Sequence, residues 1–162
     1  MVEMFAAENG LKGDPRLQAI SNAIRVVPHF PKQGIMFQDI TTLLLDHKAF
    51  KNTVDIFVDR YKDMNISVVA GEVIAEAYEL EYGSDCLEMH VGAVEAGERA
   101  IVIDDLVATG GTLSAAISLL ERVGAEVVEC ACVIGLREVK GQRRLNGKPL
   151  YILVEPREID SC

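Results

Sequence analysis

The sequence predicts an α/β fold, a parallel sheet flanked by helices, and three observations carry that expectation. The β-branched run Arg99-Ala100-Ile101-Val102-Ile103 is followed by a helical pattern over Thr112 to Val123 and then by a second apolar run, Glu126 to Ile134. Strand, helix, strand in that order is a βαβ unit, whose two strands lie parallel. Upstream, Ile66-Ser67-Val68-Val69-Ala70 is a short β-rich run ending at Gly71, which suits a buried strand. The chain has 162 residues, 49% hydrophobic and 25% charged, the length and balance of one globular core.

Taken in order, residues 1 to 13 read as a loose leader, and residues 14 to 162 as a single domain. Asp14-Pro15 is a helix start, a carboxylate N-cap followed by a proline in the first turn. Leu17, Ile20 and Ile24 share one face, so this helix is expected to reach Arg25. Pro28 and Pro31 break it, and Gln33-Gly34 turns the chain before Ile35-Met36-Phe37. A second helix, capped by Asp46, is expected from His47 to Met64, with Phe50, Val54, Phe57, Val58 and Tyr61 on its apolar face. In the helix from Thr112, Leu113, Ala116, Ile117 and Leu120 point inward and Gly124 stands at the C-terminal cap. Leu150 to Val154 supplies a last strand. One stretch resists this scheme. Ala77 to Tyr82 reads as another extended piece, yet too few residues separate it from Ala70 for a parallel crossover. Either those two strands pair antiparallel or the fold lacks an element.

The net charge of −9 argues against nucleic acid or an anionic membrane as partner, though amides and a metal ion hold phosphate without a basic surface. No stretch approaches the ~18 apolar residues of a membrane helix, and the first residues lack a signal-peptide pattern, so a cytoplasmic address is the default. Cys86, Cys130, Cys132 and Cys162 form no CxxC pair. Cys130 and Cys132, two apart on a strand, face one side and read as buried thiols in a reducing compartment. His29, His47 and His90 are scattered and suggest neither a metal site nor a triad.

The chemistry concentrates at Ile101-Val102-Ile103-Asp104-Asp105-Leu106-Val107-Ala108-Thr109-Gly110-Gly111-Thr112. The strand delivers a small-residue loop to the carboxyl end of a parallel sheet, where open α/β folds bind ligands. Gly110 and Gly111 let the backbone turn and approach an anion, while Thr109 and Thr112 add hydroxyl donors. The first amides of the following helix lack intrahelical partners and sit at the positive end of its dipole. Asp104 and Asp105 would repel that anion unless they serve another purpose, such as accepting hydrogen bonds from ribose hydroxyls. The pattern therefore describes a ribose 5-phosphate site. It is neither a Walker A sequence nor GxGxxG. The bland alternative is a strand-to-helix turn with a threonine cap and two surface acids.

This run resembles the phosphoribosyl pyrophosphate signature of the type I phosphoribosyltransferases. Phe30-Pro31-Lys32-Gln33-Gly34-Ile35-Met36-Phe37-Gln38-Asp39-Ile40-Thr41 is similar to the base-binding segment of adenine phosphoribosyltransferases, the plant enzymes most of all, and Tyr78-Glu79-Leu80-Glu81-Tyr82-Gly83 to the base of their active-site hood. The resemblance implies a type I phosphoribosyltransferase sheet and transfer of phosphoribosyl from phosphoribosyl pyrophosphate to N9 of adenine. The products would be AMP and pyrophosphate, in purine salvage, by a homodimer. Mg²⁺ would be bound mainly through the substrate, with no direct protein ligand set. By position, Asp104 and Asp105 would hold the ribose hydroxyls and Ala108, Thr109, Gly110, Gly111 and Thr112 the 5-phosphate. Phe37 would stack on adenine while backbone groups of Met36 and Gln38 read its edge. Glu81 would be the acid/base residue, with Tyr82 beside the reacting centre. Without the resemblance, Phe37 reads equally as a core aromatic beside Ile35 and Ile40, and Glu81 as the wet face of an alternating strand.

The likeness breaks between Ala70-Gly71 and Glu72-Val73. There the family carries a pyrophosphate loop, a crossover helix, a parallel strand and a basic hood segment that this chain lacks, the same place where the crossover found no room. Gly135 also departs, standing where the family usually has glutamate. Two readings follow: an adenine phosphoribosyltransferase impaired by the gap, or a non-catalytic variant that keeps AMP binding and pairs with an intact subunit.

Overall fold

The computed structural model describes residues 10–71, 87–135, 145 and 147–156. Its elements are α1 (Pro15–Ala23), β1 (Arg25–Pro28), β2 (Met36–Asp39), α2 (Thr41–Leu45), α3 (His47–Tyr61), β3 (Val68–Gly71), β4 (Arg99–Val107), α4 (Gly111–Arg122), β5 (Glu126–Gly135) and β6 (Leu150–Val154). The four strands β3-β4-β5-β6 form one sheet in that order, all parallel, as the βαβ reading requires. β1 and β2 form a separate antiparallel hairpin.

The caps fall where short polar side chains can reach free amides. Asp14 accepts from the Arg16 amide at 2.8 Å to start α1, with Pro15 in the first turn. Asp46 accepts from the Lys48 and Ala49 amides, both at 3.0 Å, to start α3. Helix α4 begins at Gly111 rather than Thr112, because Gly110 takes the N-cap position with φ 76°. Its C-terminus closes through Gly124 at φ 86°, as expected.

The core has two halves, one on each face of the sheet. On one face α1, α2 and α3 bury Leu17, Ile20, Leu43, Ile56 and Phe57, with the cap residue Ile24, over Ile101 and Ala131. On the other, Leu113, Ile117 and Leu120 of α4 pack against Ala100, Val102, Val127 and Cys130. Arg60 donates to both carboxylate oxygens of Glu129, at 2.6 and 2.7 Å, and Tyr61 donates to the same group at 2.8 Å. The Arg60 guanidinium lies 3.9 Å from the centre of the Tyr151 ring, so this knot ties α3 to β5 and β6.

Four expectations need correction. The first helix stops at Ala23, and Arg25–Pro28 is strand, since Arg25 is drawn to Asp39 and its amide donates to Thr42 Oγ1 at 3.0 Å. Helix α3 ends at Tyr61, three residues short of Met64. Its buried face is Ala49, Thr53, Ile56, Phe57 and Tyr61, while Phe50, Val54 and Val58 are exposed. The helix is rotated so that Phe57 and Tyr61 stay inward while Phe50, Val54 and Val58 form an exposed apolar flank. Finally, β4 continues through both acids to Val107, because β5 runs alongside and pairs Asp104 with Cys132 and Leu106 with Ile134. Strand β3 pairs parallel with β4; residues 77 to 82, the other extended run, lie outside the described residues.

Candidate active site

Both acids stand on β4 near its carboxyl end, but not in equivalent settings. Asp104 is buried and Asp105 exposed, and the Asp105 amide donates to Asp104 Oδ1 at 2.8 Å. Past Val107 the chain makes the short loop Ala108-Thr109-Gly110 and enters α4. Gly110 is in the left-handed region that a side chain resists, so the turn can be this tight only with glycine here. The first helical bond of α4 runs from the Ser114 amide to the Gly110 carbonyl at 3.0 Å, leaving the amides before it without intrahelical partners.

These residues enclose a hollow of about 100 Å³ lined by Asp104, Leu106 and the continuous run from Val107 to Leu113. The structure thus brings Asp104 together with Ala108, Thr109, Gly110, Gly111 and Thr112, and Asp105 does not line this hollow. A smaller apolar hollow of about 50 Å³ adjoins it, sharing Asp104, Thr112 and Leu113 and reaching Ala70 and Gly71 at the end of β3. Residue patterns in the sequence do not single out this second hollow. Its only signal was that β3 ends at the same sheet edge as β4. Among the described residues, no Lys, Arg or His lines either hollow. Positive potential there comes from backbone amides and the dipole of α4.

The hairpin carries the other candidates. Phe37 pairs with Val27 across the β1–β2 ladder and is 42% exposed, which excludes the core reading. Phe30 meets it edge-on, with ring centres 5.2 Å apart at 74°. That partner is one the sequence reading passed over, although both phenylalanines flank the same turn. Gln38 is buried and donates from Nε2 to the Met36 carbonyl at 3.2 Å. None of Met36, Phe37 or Gln38 lines either hollow. Glu81 and Tyr82 lie outside the described residues.

Asp39, at the end of β2, accepts from the Thr41 hydroxyl at 2.5 Å and its amide at 3.0 Å, and from Arg25. These bonds, the Thr41 hydroxyl foremost, hold its carboxyl below the usual aspartate range. Cys130 and Cys132 are free and fully buried; burial pushes the Cys130 thiol up to about 11 and the Cys132 thiol higher still. No three metal-ligating side chains converge among the described residues. No described helix is long and apolar enough to cross a membrane.

Gly135 ends β5 opposite Val107, the residue that leads into the loop. A Cβ there would lie 2.4 Å from Ile152 Cδ1 and 2.8 Å from Cγ1 and Cγ2. The space a longer side chain would need is filled by Ile152, which gives the departure at this position a physical account.

Residues 30–154 match the phosphoribosyl transferase domain family. The chain is 69% identical to adenine phosphoribosyltransferase 5 of Arabidopsis thaliana over 188 aligned positions, covering 97% of this chain and 98% of that protein. It is 64% identical to adenine phosphoribosyltransferase 2 of the same plant, with the same coverage. Each alignment is longer than the chain by 26 positions (188 against 162), so at least that many residues of the relative have no counterpart here. Among solved structures, adenine phosphoribosyltransferase from Thermoanaerobacter pseudethanolicus superposes with a TM-score of 0.74 at 31% identity, covering 86% of this chain and 99% of that one. The Saccharomyces cerevisiae adenine phosphoribosyltransferase, complexed with an imino-altritol bisphosphate and adenine, gives 0.71 at 25%, covering 86% and 98%.

Proposed function

The chain belongs to the phosphoribosyl transferase domain family and, within it, to the adenine phosphoribosyltransferases; from that premise we propose that it transfers phosphoribosyl from phosphoribosyl pyrophosphate to adenine, at a rate impaired by its missing segment. The observation that carries this reading is the hollow in which Asp104 faces the loop from Ala108 to Thr112. The unpaired amides of α4 and the hydroxyls of Thr109 and Thr112 hold the 5-phosphate, and Gly110 and Gly111 let the backbone close on it. Asp104 and Asp105 accept from the ribose hydroxyls. Phe37, buttressed edge-on by Phe30, stacks on adenine, and the backbone of Met36 and Gln38 reads its edge. The bond from C1 to the pyrophosphate oxygen breaks with its electron pair on oxygen, C1–N9 forms, and the N9 proton passes to Glu81, with Tyr82 alongside. Mg²⁺, held mainly by the substrate with Asp104 as a nearby hard oxygen donor, would supply positive charge to offset that of the leaving pyrophosphate. The same reading makes residues 14 to 162 one domain, places the protein in the cytoplasm and in purine salvage, and pairs two copies as a homodimer.

A second reading is favoured by two observations: among the described residues neither hollow has a basic side chain to grip pyrophosphate, and at least 26 aligned positions are missing. It keeps AMP binding in the cradle, loses transfer, and pairs the chain with an intact subunit. Two measurements decide between them. AMP is quantified after mixing protein with adenine, phosphoribosyl pyrophosphate and Mg²⁺, and AMP binding is read by calorimetry. Turnover proportional to protein supports the first reading; binding without turnover supports the second. If AMP neither forms nor binds, both are wrong.

A further inference from the structure

The β1–β2 ladder ends at the pair Pro28 with Met36, and residues 29 to 35 carry the chain from one strand to the other. Every residue from 28 to 35 is exposed, so burial does not fix the shape of this loop. Hydrogen bonds close it instead. The Ile35 amide donates to the Lys32 carbonyl at 3.1 Å, and the Gly34 amide donates to Nδ1 of His29 at 3.1 Å. The second bond spans the mouth of the loop, one step beyond the last ladder pair. It acts as a side-chain rung where the backbone ladder has stopped.

His29 meets two demands of that rung. A backbone amide can only donate, so the ring nitrogen facing Gly34 must be an acceptor, which an imidazole supplies at one of its two nitrogens. The residue also holds φ 58°, in the left-handed region, where Asn, Asp and His are found more often than other residues with a side chain. A residue kept there despite the cost points to a geometry the surroundings require. Both ends of the rung lead to the candidate base site. The residue after His29 is Phe30, whose ring meets Phe37 edge-on at 5.2 Å. On the other side Gly34, at φ 90°, leads through Ile35 into Met36 at the start of β2.

We propose that His29 is a positioning residue for the purine: by holding the Gly34 amide it sets Phe30 against Phe37 and fixes the approach to Met36. The aromatic face and the polar backbone edge of β2 are then preformed before the base arrives, which lowers the cost of ordering an exposed loop on binding. His29 touches no substrate atom in this account; it acts through Phe30, Phe37 and Met36. The inference rests on the base-binding reading of Met36, Phe37 and Gln38 above. It concerns the base alone, because none of residues 29 to 35 lines the hollow beside the loop from Ala108 to Gly110. It does not depend on whether transfer survives.

The test is calorimetry of AMP on the full chain, with ribose 5-phosphate, which lacks the base, read by its displacement of AMP. His29→Ala removes the acceptor. His29→Asn restores one, because the Oδ1 of asparagine stands as many bonds from the backbone as the Nδ1 of histidine, and asparagine tolerates the left-handed region. Phe37→Ala probes the base site itself. His29→Ala should weaken AMP at least about fivefold, the size of one hydrogen bond's net contribution, and Phe37→Ala about tenfold. His29→Asn should stay within about twofold of the parent, and every variant should keep the parent's affinity for ribose 5-phosphate. If Phe37→Ala weakens AMP while His29→Ala does not, or if His29→Asn is as weak as His29→Ala, the positioning role is wrong and the base site stands. An equal loss of ribose 5-phosphate in His29→Ala also overturns the role, since the loop would then support the fold and not the base. If AMP does not bind, or Phe37→Ala leaves it unchanged, the base-binding reading itself fails and takes the role of His29 with it.

Discussion

Replacing Gly135 by alanine tests the packing beneath the cradle with a single methyl group. The added Cβ would meet three atoms of Ile152 at 2.4, 2.8 and 2.8 Å, where carbon atoms normally rest about 3.5–4.0 Å apart. Ile152 is 6% exposed and packed in the second half of the core, so it cannot swing into solvent. Overpacking of this kind costs about 1–3 kcal/mol, and an overlap near 1 Å on three atoms belongs at the upper end, about 2–3 kcal/mol. For a domain of this size the melting midpoint should fall by about 4–10 °C. Ile152→Ala removes all three offending atoms but opens a cavity, costing about 2–5 kcal/mol alone. In the double variant the new methyl occupies part of that cavity, so the combined loss should fall short of the sum by at least about 1 kcal/mol. Urea unfolding of the four proteins, followed by circular dichroism, supplies the cycle. A Gly135→Ala variant within about 0.5 kcal/mol of the parent, or additive losses, would refute the argument.

Three further outcomes follow from the site and its supports. Gly110→Ala forces a side chain into the left-handed region at φ 76°; a loss of about 1–2 kcal/mol, read as roughly tenfold weaker AMP binding with a small drop in melting temperature, is expected by calorimetry. Asp39→Asn should cost about 2 kcal/mol at pH 7, as for a hydrogen-bonded carboxylate. Because the native carboxyl is depressed, its contribution is complete above the unfolded value near 4 and lost as pH falls through the folded value, so the difference should close below about pH 4. A difference independent of pH contradicts it. Finally, at pH 8 a maleimide should leave Cys130 and Cys132 unmodified in the native protein and label both after denaturation, as mass spectrometry of their shared tryptic peptide would show.

The fold was readable wherever a local pattern and a packing face coincide. Asp14-Pro15 and Asp46 announce their helices because capping acts over two or three residues, and the apolar runs of β5 and β6 stand out because both faces are buried. Distant partners defeated the reading elsewhere. Arg25–Pro28 is a strand because Asp39 and Thr42, more than a dozen residues away, hold it there. The β-branched run marks a strand only from Arg99 to Ile103, yet the neighbouring strand extends β4 through Asp104 and Asp105 to Val107. Apolar spacing showed that α3 has a hydrophobic stripe but not how far the helix is rotated, so Phe50, Val54 and Val58 were assigned inward and lie outside. At the site, the loop and its glycines were legible from residue type. The unequal burial of the two aspartates and the second, apolar hollow were not, since both depend on β3 and α4 converging on one wall.

Strand register bears on how such a chain can change. From Arg99 onward, β4, α4, β5 and β6 supply the floor, the wall and the supporting ladder of the loop from Ala108 to Gly110, all from one contiguous stretch of sequence. Under the proposed function, material inserted or lost before Arg99 would alter what happens to the departing group without rewriting the residues that line the hollow. Recognition and turnover would then be separable by editing at one site in the chain.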